Sequence, residues 1–414
     1  MLAWLLLLGP GVQEASAHQS AVRASFEQVI ASMLASRTSV SDLIFSPGRA
    51  PQVESNGDLV PVAIPGLEKL TPDQTKAIAQ VLMASNPVAH QQVDRDGSAD
   101  LSFAAAGARF RVNIFRQRAA HAIVMRVIPS RIPSFEELCL PQQLDAIVGL
   151  RNGIVLVTGP TGSGKSSTLA AVIDRMNDRR SIHILTIEDP IEFLHAHKKA
   201  TIHQRELHSD TPTFGLALRA ALRQAPKVIL VGEMRDRETI ETALEASETG
   251  HLVLSTLHTI DAAKTVERIV GTFPLGDQQT IRTRLSKAVQ YILSQRLIPR
   301  ADREGRVAIV EILKATLRTR EYIEQGEREG KTLLDAMRDG AEDGMQHFDG
   351  EIERLIRNGT ISLEVGMSYA TNATNLRLQI ADLLEERRQA AKAAEPPKAA
   401  AYAATAINPA DIIR

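Results

Sequence analysis

The sequence predicts an α/β domain that is preceded by a smaller α+β domain and followed by a helical region. The α/β domain is predicted by continuous apolar runs, which are typical of parallel strands buried on both faces. These runs lie at residues 154–157, 182–187, 228–231 and 252–254, and the segments between them are long enough for helices. The α+β domain is predicted by short alternating runs before residue 128 that stand beside segments of helical periodicity.

Local sequence patterns predict each element of the first domain. Apolar residues four apart predict a helix over 22–36, and residues 41–46 predict a strand. A hairpin is predicted over 53–62 around Asn56-Gly57, and a helix over 72–83 that starts with proline. Three alternating segments then predict antiparallel strands, at 101–103, 108–114 and 122–127.

The chain has 414 residues, which is long enough for two domains and tails. Residues 1–21 are interpreted as a dispensable extension or the result of a misplaced start codon rather than as an export signal, because the apolar run at 2–8 is short and no Lys or Arg precedes it. The other predicted boundaries are an N-terminal α+β domain at 22–127, a proline-punctuated linker at 128–139, an α/β core at 140–300, a helical region at 301–386 and a disordered tail at 387–414.

The composition disfavours nucleic-acid binding. The 48 basic residues are balanced by 49 acidic ones, so the net charge of −1 shows no basic excess. The aromatic content of 4% also offers few stacking platforms for single strands. We therefore expect no nucleic-acid partner. The single cysteine, Cys139, fits a reducing compartment and excludes both an internal disulfide and a multi-cysteine zinc module.

The most specific motif is the glycine-rich segment at residues 159–166. It follows the strand predicted at 154–157 and precedes a predicted helix, which is the order of a phosphate-binding loop. Its glycines let the backbone turn tightly and direct amides at phosphate oxygens, and the helix adds the positive end of its dipole. Lys165 would reach the β- and γ-phosphates, and the Ser166 hydroxyl would ligate Mg²⁺. The predicted ligands of Mg-ATP are Gly159, Pro160, Thr161, Gly162, Ser163, Gly164, Lys165, Ser166 and Ser167.

Acidic residues and histidines flank the other predicted strands. Glu233 closely follows the strand at 228–231, at the edge where open α/β sheets bind ligands, so it can polarise water or support Mg²⁺. A second acidic group, containing Glu188 and Glu192, follows the strand at 182–187. His251 and His258 bracket the next strand, where a histidine beside a γ-phosphate can sense it. The remaining histidines lack metal-ligand spacing, so no further metal site is predicted.

Four blocks together resemble the secretion-ATPase superfamily, in particular the type IV pilus retraction ATPases of the PilT and PilU kind. They are similar to that family's Walker A, Asp box, Walker B and His box, in the family's order. The blocks are residues 159–166, 186–193, 231–236 and 248–259, and the resemblance runs from about Phe26 to Leu384. It implies a PAS-like N-terminal domain, a RecA-like P-loop ATPase domain, and a hexameric ring with ATP sites between the two domains.

The resemblance also implies roles for individual residues. In the expected catalytic set, Glu233 matches the Walker B glutamate and Glu192 the Asp-box glutamate. A guanidinium in such a site can neutralise charge on the transferring phosphoryl group, although surface solvation or a salt bridge is the alternative for each arginine pair. His251 and His258 match the family's His-box pair. Arg111 and Arg126 match N-terminal-domain arginines that reach the nucleotide, and Arg219 and Arg223 match arginines on the helix before Walker B.

The implied function is Mg-dependent ATP hydrolysis by a cytoplasmic homo-hexamer, attached peripherally to the inner membrane, that powers pilus retraction and twitching motility. Its expected partners are an inner-membrane pilus platform protein and a paralogous pilus ATPase. The nearest alternative is a pilus assembly or type II secretion ATPase, but these usually carry a four-cysteine zinc module that one cysteine cannot form. A RecA-type nucleic-acid translocase and a regulatory nucleotide binder without turnover are weaker alternatives.

The sequence departs from the family pattern at several positions. Lys227 stands where the family usually has an acidic residue, and Ile44 replaces a frequent histidine. Residues 316–327 match the retraction motif of the PilT kind only loosely, whereas residues 372–380 look more like PilU or a related paralogue. The sequence therefore leaves open which paralogue it resembles most.

Overall fold

The computed structural model describes residues 12–84, 86–129 and 131–385. Two sheets organise these residues, one of six strands and one of seven. The described part of the chain falls into two compact units, one within Met1–Leu297 and Val307–His347, the other within Ile298–Arg306 and Phe348–Arg414. No helix in the described ranges combines the length and the hydropathy that crossing a membrane requires.

The six-stranded sheet is antiparallel and has the order β3-β2-β1-β6-β5-β4. Its inner face packs against helices around a core of its own that includes Phe45, Phe110 and Ile123. The strands are β1 (Val40–Phe45), β2 (Gln52–Ser55), β3 (Asp58–Pro61), β4 (Ser98–Ala105), β5 (Ala108–Gln117) and β6 (Ala120–Ile128), and the helices are α1 (Val12–Ala35), α2 (Pro72–Met83) and α3 (Pro87–Asp96).

Local signals explain most of this sheet. The predicted hairpin is β2–β3, whose turn residues Asn56 and Gly57 both have positive φ, as the tightest hairpin turns require. Thr71 and Gln74 form a capping box at the start of α2. The first helix begins at Val12 and not at residue 22, so it extends into the segment interpreted as an extension, whose residues 1–11 lie outside the described ranges. Helix α3 was not predicted.

The seven-stranded sheet has the order β13-β12-β7-β11-β10-β8-β9, and the strands from β12 to β9 are parallel to their neighbours. Helices cover both faces, and β7, β10 and β11 are wholly buried. The strands are β7 (Gly153–Thr158), β8 (His183–Glu188), β9 (Thr201–Glu206), β10 (Val228–Val231), β11 (Leu252–Leu257), β12 (Val289–Pro299) and β13 (Arg306–Lys314). The helices are a 3-10 helix (Gln142–Gly149), α4 (Lys165–Arg179), α5 (Phe214–Ala221), α6 (Arg237–Glu248), α7 (Ala262–Gly271), α8 (Gln278–Ala288), α9 (Leu317–Gln325) and α10 (Leu333–Asp339).

The predicted α/β class with a preceding α+β domain is confirmed, but the expectation that residues after 301 are helical is wrong at their start. Strand β13 belongs to the sheet and is buried from Val307 to Leu313. Helices follow only after it. Within the second compact unit, α11 (Phe348–Arg357), α12 (Leu363–Tyr369) and α13 (Ala373–Gln379) pack together, and the Asp349 carboxylate accepts hydrogen bonds from two backbone amides before α13. The tail predicted at 387–414 lies outside the described ranges.

Candidate functional site

The loop between β7 and α4 is shaped by glycine. Gly159, Gly162 and Gly164 have φ values of 143°, 78° and 89°, which side-chain-bearing residues rarely adopt. A Cβ atom on Gly159 would also collide with the backbone oxygen of Gln295 and with Ser163 Oγ. The loop therefore brings its backbone amides to the start of α4, where the helix dipole favours an anion.

Lys165 lies inside this loop and is only 8% exposed. Its Nζ donates to the carbonyl oxygens of Gly159 at 2.9 Å and Pro160 at 3.0 Å. Burial lowers the pKa of the ammonium group, while the nearby carboxylates of Glu233 and Glu192 oppose that shift. Ser163 Oγ is buried and makes no hydrogen bond within the described residues, so it retains capacity for a ligand oxygen. The cradle fits a phosphate group.

Glu233 lies just beyond β10, at the edge of the sheet where β7 gives way to the loop. One of its oxygens pairs with Arg235 Nε at 2.5 Å, and the other lies 3.6 Å from His258 Nε2. His258 directly follows β11, which is the parallel neighbour of β10. Parallel strands end at the same edge, and this explains why Glu233 lies beside His258 and acts electrostatically on Lys165 although the three are distant in sequence. The group can hold a phosphate and place a carboxylate beside it.

The acidic group after β8 divides into two environments. Glu188 ends β8, and its Oε1 accepts from Thr186 Oγ1 at 2.6 Å and Gln204 Nε2 at 3.1 Å. Burial raises the pKa of Glu188 to about 7. Glu192 is exposed and lies close enough to act electrostatically on both Glu188 and Lys165. Of these two glutamates, Glu192 is therefore the one whose carboxylate is free to approach a ligand.

His251 lies apart from this cluster within the single chain. It precedes β11 and so lies at the amino edge of the sheet, where its carbonyl oxygen accepts from Gly153 N at the start of β7. Its Nδ1 lies 3.0 Å from the Ala246 oxygen. A strand of this length separates it from His258 by roughly 20 Å.

Two of the predicted arginines stand side by side. Arg111 on β5 is directly opposite Arg126 on β6, on the face turned away from the N-terminal core. Arg126 Nε donates to Asp42 Oδ1 at 2.9 Å. Arg111 lines a cavity of about 610 Å³ whose other side includes Asp189 and Arg235. The cavity therefore places Arg111 on the side of the N-terminal sheet that faces the loop after β8, which carries Asp189 and Glu192.

The other two predicted arginines lie elsewhere. Arg219 is on α5 and its guanidinium pairs with Glu238 of α6. Arg223 follows α5 and is exposed. Among the described residues, no hydrogen bond joins either side chain to Glu233, His258 or the loop. The structure of one chain does not bring them to the cluster.

Sequence reasoning missed Arg235 and Gln295. Arg235 pairs with Glu233 from two residues away, so a cation so close to the predicted carboxylate was an available signal. Gln295 on β12 accepts from Thr168 Oγ1 on α4 at 2.8 Å, and its backbone oxygen limits the space at Gly159. No local pattern marks Gln295, because its role depends on the pairing of β12 with β7.

A chain of buried polar groups runs beneath the loop. Thr158 Oγ1, at the end of β7, donates to Ser294 Oγ at 3.2 Å, and Ser294 in turn hydrogen bonds to Glu311. Glu311 is 3% exposed and accepts from Ala262 N, at the start of α7, at 2.8 Å. Burial raises the pKa of Glu311 to about 7. This series of hydrogen bonds links β7, the strand before the phosphate-binding loop, to α7, the helix that follows His258.

This burial predicts a pH effect on stability. Between pH 4.5 and about 7 the unfolded chain ionises Glu311 while the folded protein keeps it protonated, so rising pH lowers the free energy of unfolding. Glu311→Gln retains an acceptor for Ala262 N and cannot ionise. The stability of the variant relative to the parent should rise from pH 5 to pH 8, by on the order of 3 kcal/mol. Denaturant unfolding of both proteins at both pH values measures this, and an equal difference at each would contradict it.

Comparison with known proteins places these features in a family. Residues 56–389 match the model of the type II/IV secretion system protein family. The type IV pilus retraction ATPase PilT of Pseudomonas aeruginosa is 44% identical over 327 residues, covering 78% of this chain and 92% of the relative. The type IV pilus ATPase PilU of the same organism is 39% identical over 342 residues, covering 82% and 87%.

A solved structure agrees with these relatives. The crystal structure of the pilus retraction motor PilT with bound ADP superposes with a TM-score of 0.74 at 39% identity. The match covers 84% of this chain and 98% of that one. The similarity therefore includes both sheets and not the phosphate-loop domain alone.

Proposed function

The chain belongs to the type II/IV secretion system protein family, and on this premise we propose that it hydrolyses Mg-ATP to power type IV pilus retraction and twitching motility. The observation that carries the proposal is the meeting of Lys165, inside the glycine-shaped loop, with Glu233 and His258 at one edge of the sheet. Similarity over nearly the full length of a pilus retraction ATPase supports the biological role.

We assign the steps of the reaction to residues at this edge of the sheet. The amides of the loop and Lys165 bind the phosphates, and the Ser166 hydroxyl in the first turn of α4 would hold Mg²⁺. When bound, the metal ion neutralises charge on the phosphate oxygens. Glu233 orients the attacking water and accepts its proton, while Arg235 and His258 hold that carboxylate in place. Glu192 contributes a second carboxylate at the same edge of the sheet.

The remaining predicted residues act between parts of the assembly. We assign Arg111 and Arg126 to the N-terminal side of a nucleotide site that lies between the PAS-like domain and the RecA-like domain. Arg219 and Arg223 are exposed, and we assign them with His251 to contacts with a neighbouring subunit of a homo-hexamer. Binding of ATP would then close a cleft that hydrolysis reopens, and this converts the chemical cycle into motion.

The assembly and its partners complete the proposal. We place the PAS-like domain at 22–127, the linker at 128–139 and the start of the RecA-like core at 140. The sheet of this core includes β13 (Arg306–Lys314), so the C-terminal region begins after that strand and runs to 386. The hexamer works in the cytoplasm, on an inner-membrane pilus platform protein and beside a paralogous pilus ATPase. Similarity to a PilU protein as well as to PilT supports the existence of such a paralogue.

Deletion of the gene tests the proposed role. Retraction predicts surplus surface pili and no twitching, because pili would continue to assemble without being withdrawn. Pili are counted by electron microscopy, and the parental gene supplied on a plasmid is the control that should restore both properties. Cells without pili would contradict retraction and indicate an assembly ATPase.

A further inference from the structure

A buried ion pair joins the N-terminal sheet to the ATPase sheet. Arg109 on β5 donates from Nη2 to Glu206 Oε2 at 2.6 Å, although 97 residues separate them in the sequence. The side chain of Glu206 is 4% exposed and that of Arg109 is 23% exposed. At this degree of burial, removal of one partner leaves an uncompensated charge, which costs far more than the loss of a surface pair.

The Glu206 carboxylate also holds the loop after β8, which carries Glu192. Glu206 Oε2 accepts from the backbone amide of Ile191 at 3.2 Å, and Ile191 is itself buried. Glu192 is the next residue. Glu206 in turn is fixed at the end of β9, where its own amide donates to Asp210 Oδ2 at 2.8 Å. One oxygen atom therefore receives a donor from the N-terminal sheet and a donor from the loop that carries Glu192.

On the other side of the pair, Arg109 determines where Arg111 lies. Side chains two residues apart on a strand point to the same face, so Arg109 and Arg111 share one face of β5. The intervening Phe110 is fully buried in the N-terminal core and fixes the strand in rotation. A shift of β5 relative to Glu206 would thus move Arg111 along the wall of the cavity that it shares with Asp189.

We propose that Arg109 and Glu206 form a positioning pair that couples the placement of Arg111 to that of the loop carrying Glu192. Neither residue contacts the phosphate loop through a hydrogen bond in the described structure, so the pair acts through its neighbours. The inference rests on the proposed function, because the two groups it aligns serve ATP hydrolysis. Its effect is expected on turnover more than on nucleotide affinity.

The test compares Arg109→Ala, Glu206→Gln and the double variant with the parent protein. Arg109→Ala should lower kcat for ATP hydrolysis by about 10- to 100-fold, with less than about a threefold change in the Kd for ADP. Glu206→Gln should act similarly. The double variant should be no more than about threefold slower than the slower single variant, because one interaction is lost only once. Arg109→Lys, which retains the charge, should recover most of kcat.

Arg116→Ala is the matched control. Arg116 is on the same strand and pairs with Asp94 at 3.1 Å, but both side chains are largely exposed, so its loss should leave kcat unchanged. Parental kcat in Arg109→Ala would overturn the inference. Multiplicative losses in the double variant would do the same, as would a loss of ADP affinity equal to the loss of kcat.

Hydrogen exchange in nucleotide-free protein separates this inference from the proposed function. Exchange of the Ile191 amide should accelerate by about tenfold in Arg109→Ala and in Glu206→Gln, and should be unchanged in Arg116→Ala. Unchanged exchange in Arg109→Ala overturns the positioning pair whatever the catalytic rates are. An absence of hydrolysis by the parent protein, with the exchange effect present, would contradict the proposed function alone.

Discussion

Glu233→Gln should abolish ATP turnover while ATP binding persists. Glutamine has the same shape and can still lie near Arg235 and His258, but it cannot accept the proton of the attacking water. Loss of a general base predicts a fall in kcat of about 10²- to 10⁴-fold. Steady-state phosphate release measures the fall, and equilibrium binding of a fluorescent ATP analogue measures what is retained.

Glu241→Gln provides a matched control, since Glu241 is on α6 close by in sequence and its carboxylate pairs with exposed Arg237. That variant should hydrolyse ATP at the parental rate. If Glu233→Gln released phosphate within a factor of about two of the parent, the carboxylate would have no catalytic part. If it lost ATP binding as well, Glu233 would be assigned to the binding site instead.

Lys165→Ala should lose ATP binding. The ammonium group is held inside the loop by two carbonyl oxygens and is the one side-chain cation there that a phosphate would meet among the described residues. Loss of charge-assisted hydrogen bonds to two phosphates predicts an affinity roughly 100-fold weaker or more. Isothermal titration with Mg-ATP measures this change.

The control is Lys198→Ala, because Lys198 pairs with Asp174 and is partly exposed. It should bind ATP like the parent. Thermal unfolding of both variants establishes that Lys165→Ala remains folded although Gly159 and Pro160 lose a donor. Parental affinity in Lys165→Ala would show that the loop does not use its lysine.

The parts of the fold that the sequence predicted are those with local causes. Strand β7, its loop and α4 carry a continuous apolar run, glycines at positive φ and a helix start, all within one short segment. Strands β9 and β12 were missed because polar residues interrupt them. Strand β9 lies at an edge and is half exposed. Strand β12 carries buried Ser294, which bonds to β7, and buried Gln295, which bonds to α4.

The site residues also divide into those that local sequence patterns predicted and those that depend on the packing of distant segments. Glu233 was predictable because a residue just after a buried parallel strand lies at the ligand-binding edge. The resemblance pairs His251 with His258, and the two lie at opposite edges of the sheet in one chain because one precedes β11 and the other follows it. The Arg109–Glu206 pair depends on the packing of two sheets, so no spacing in the sequence could reveal it.

The most direct test of the central claim is phosphate release by the purified chain, with ATP, in the presence of Mg²⁺ and after its removal by a chelator. The account predicts continuous release with Mg²⁺ and almost none without it. Bound ATP that is never hydrolysed in the presence of Mg²⁺ would contradict the claim that this sheet edge is the catalytic centre of a motor.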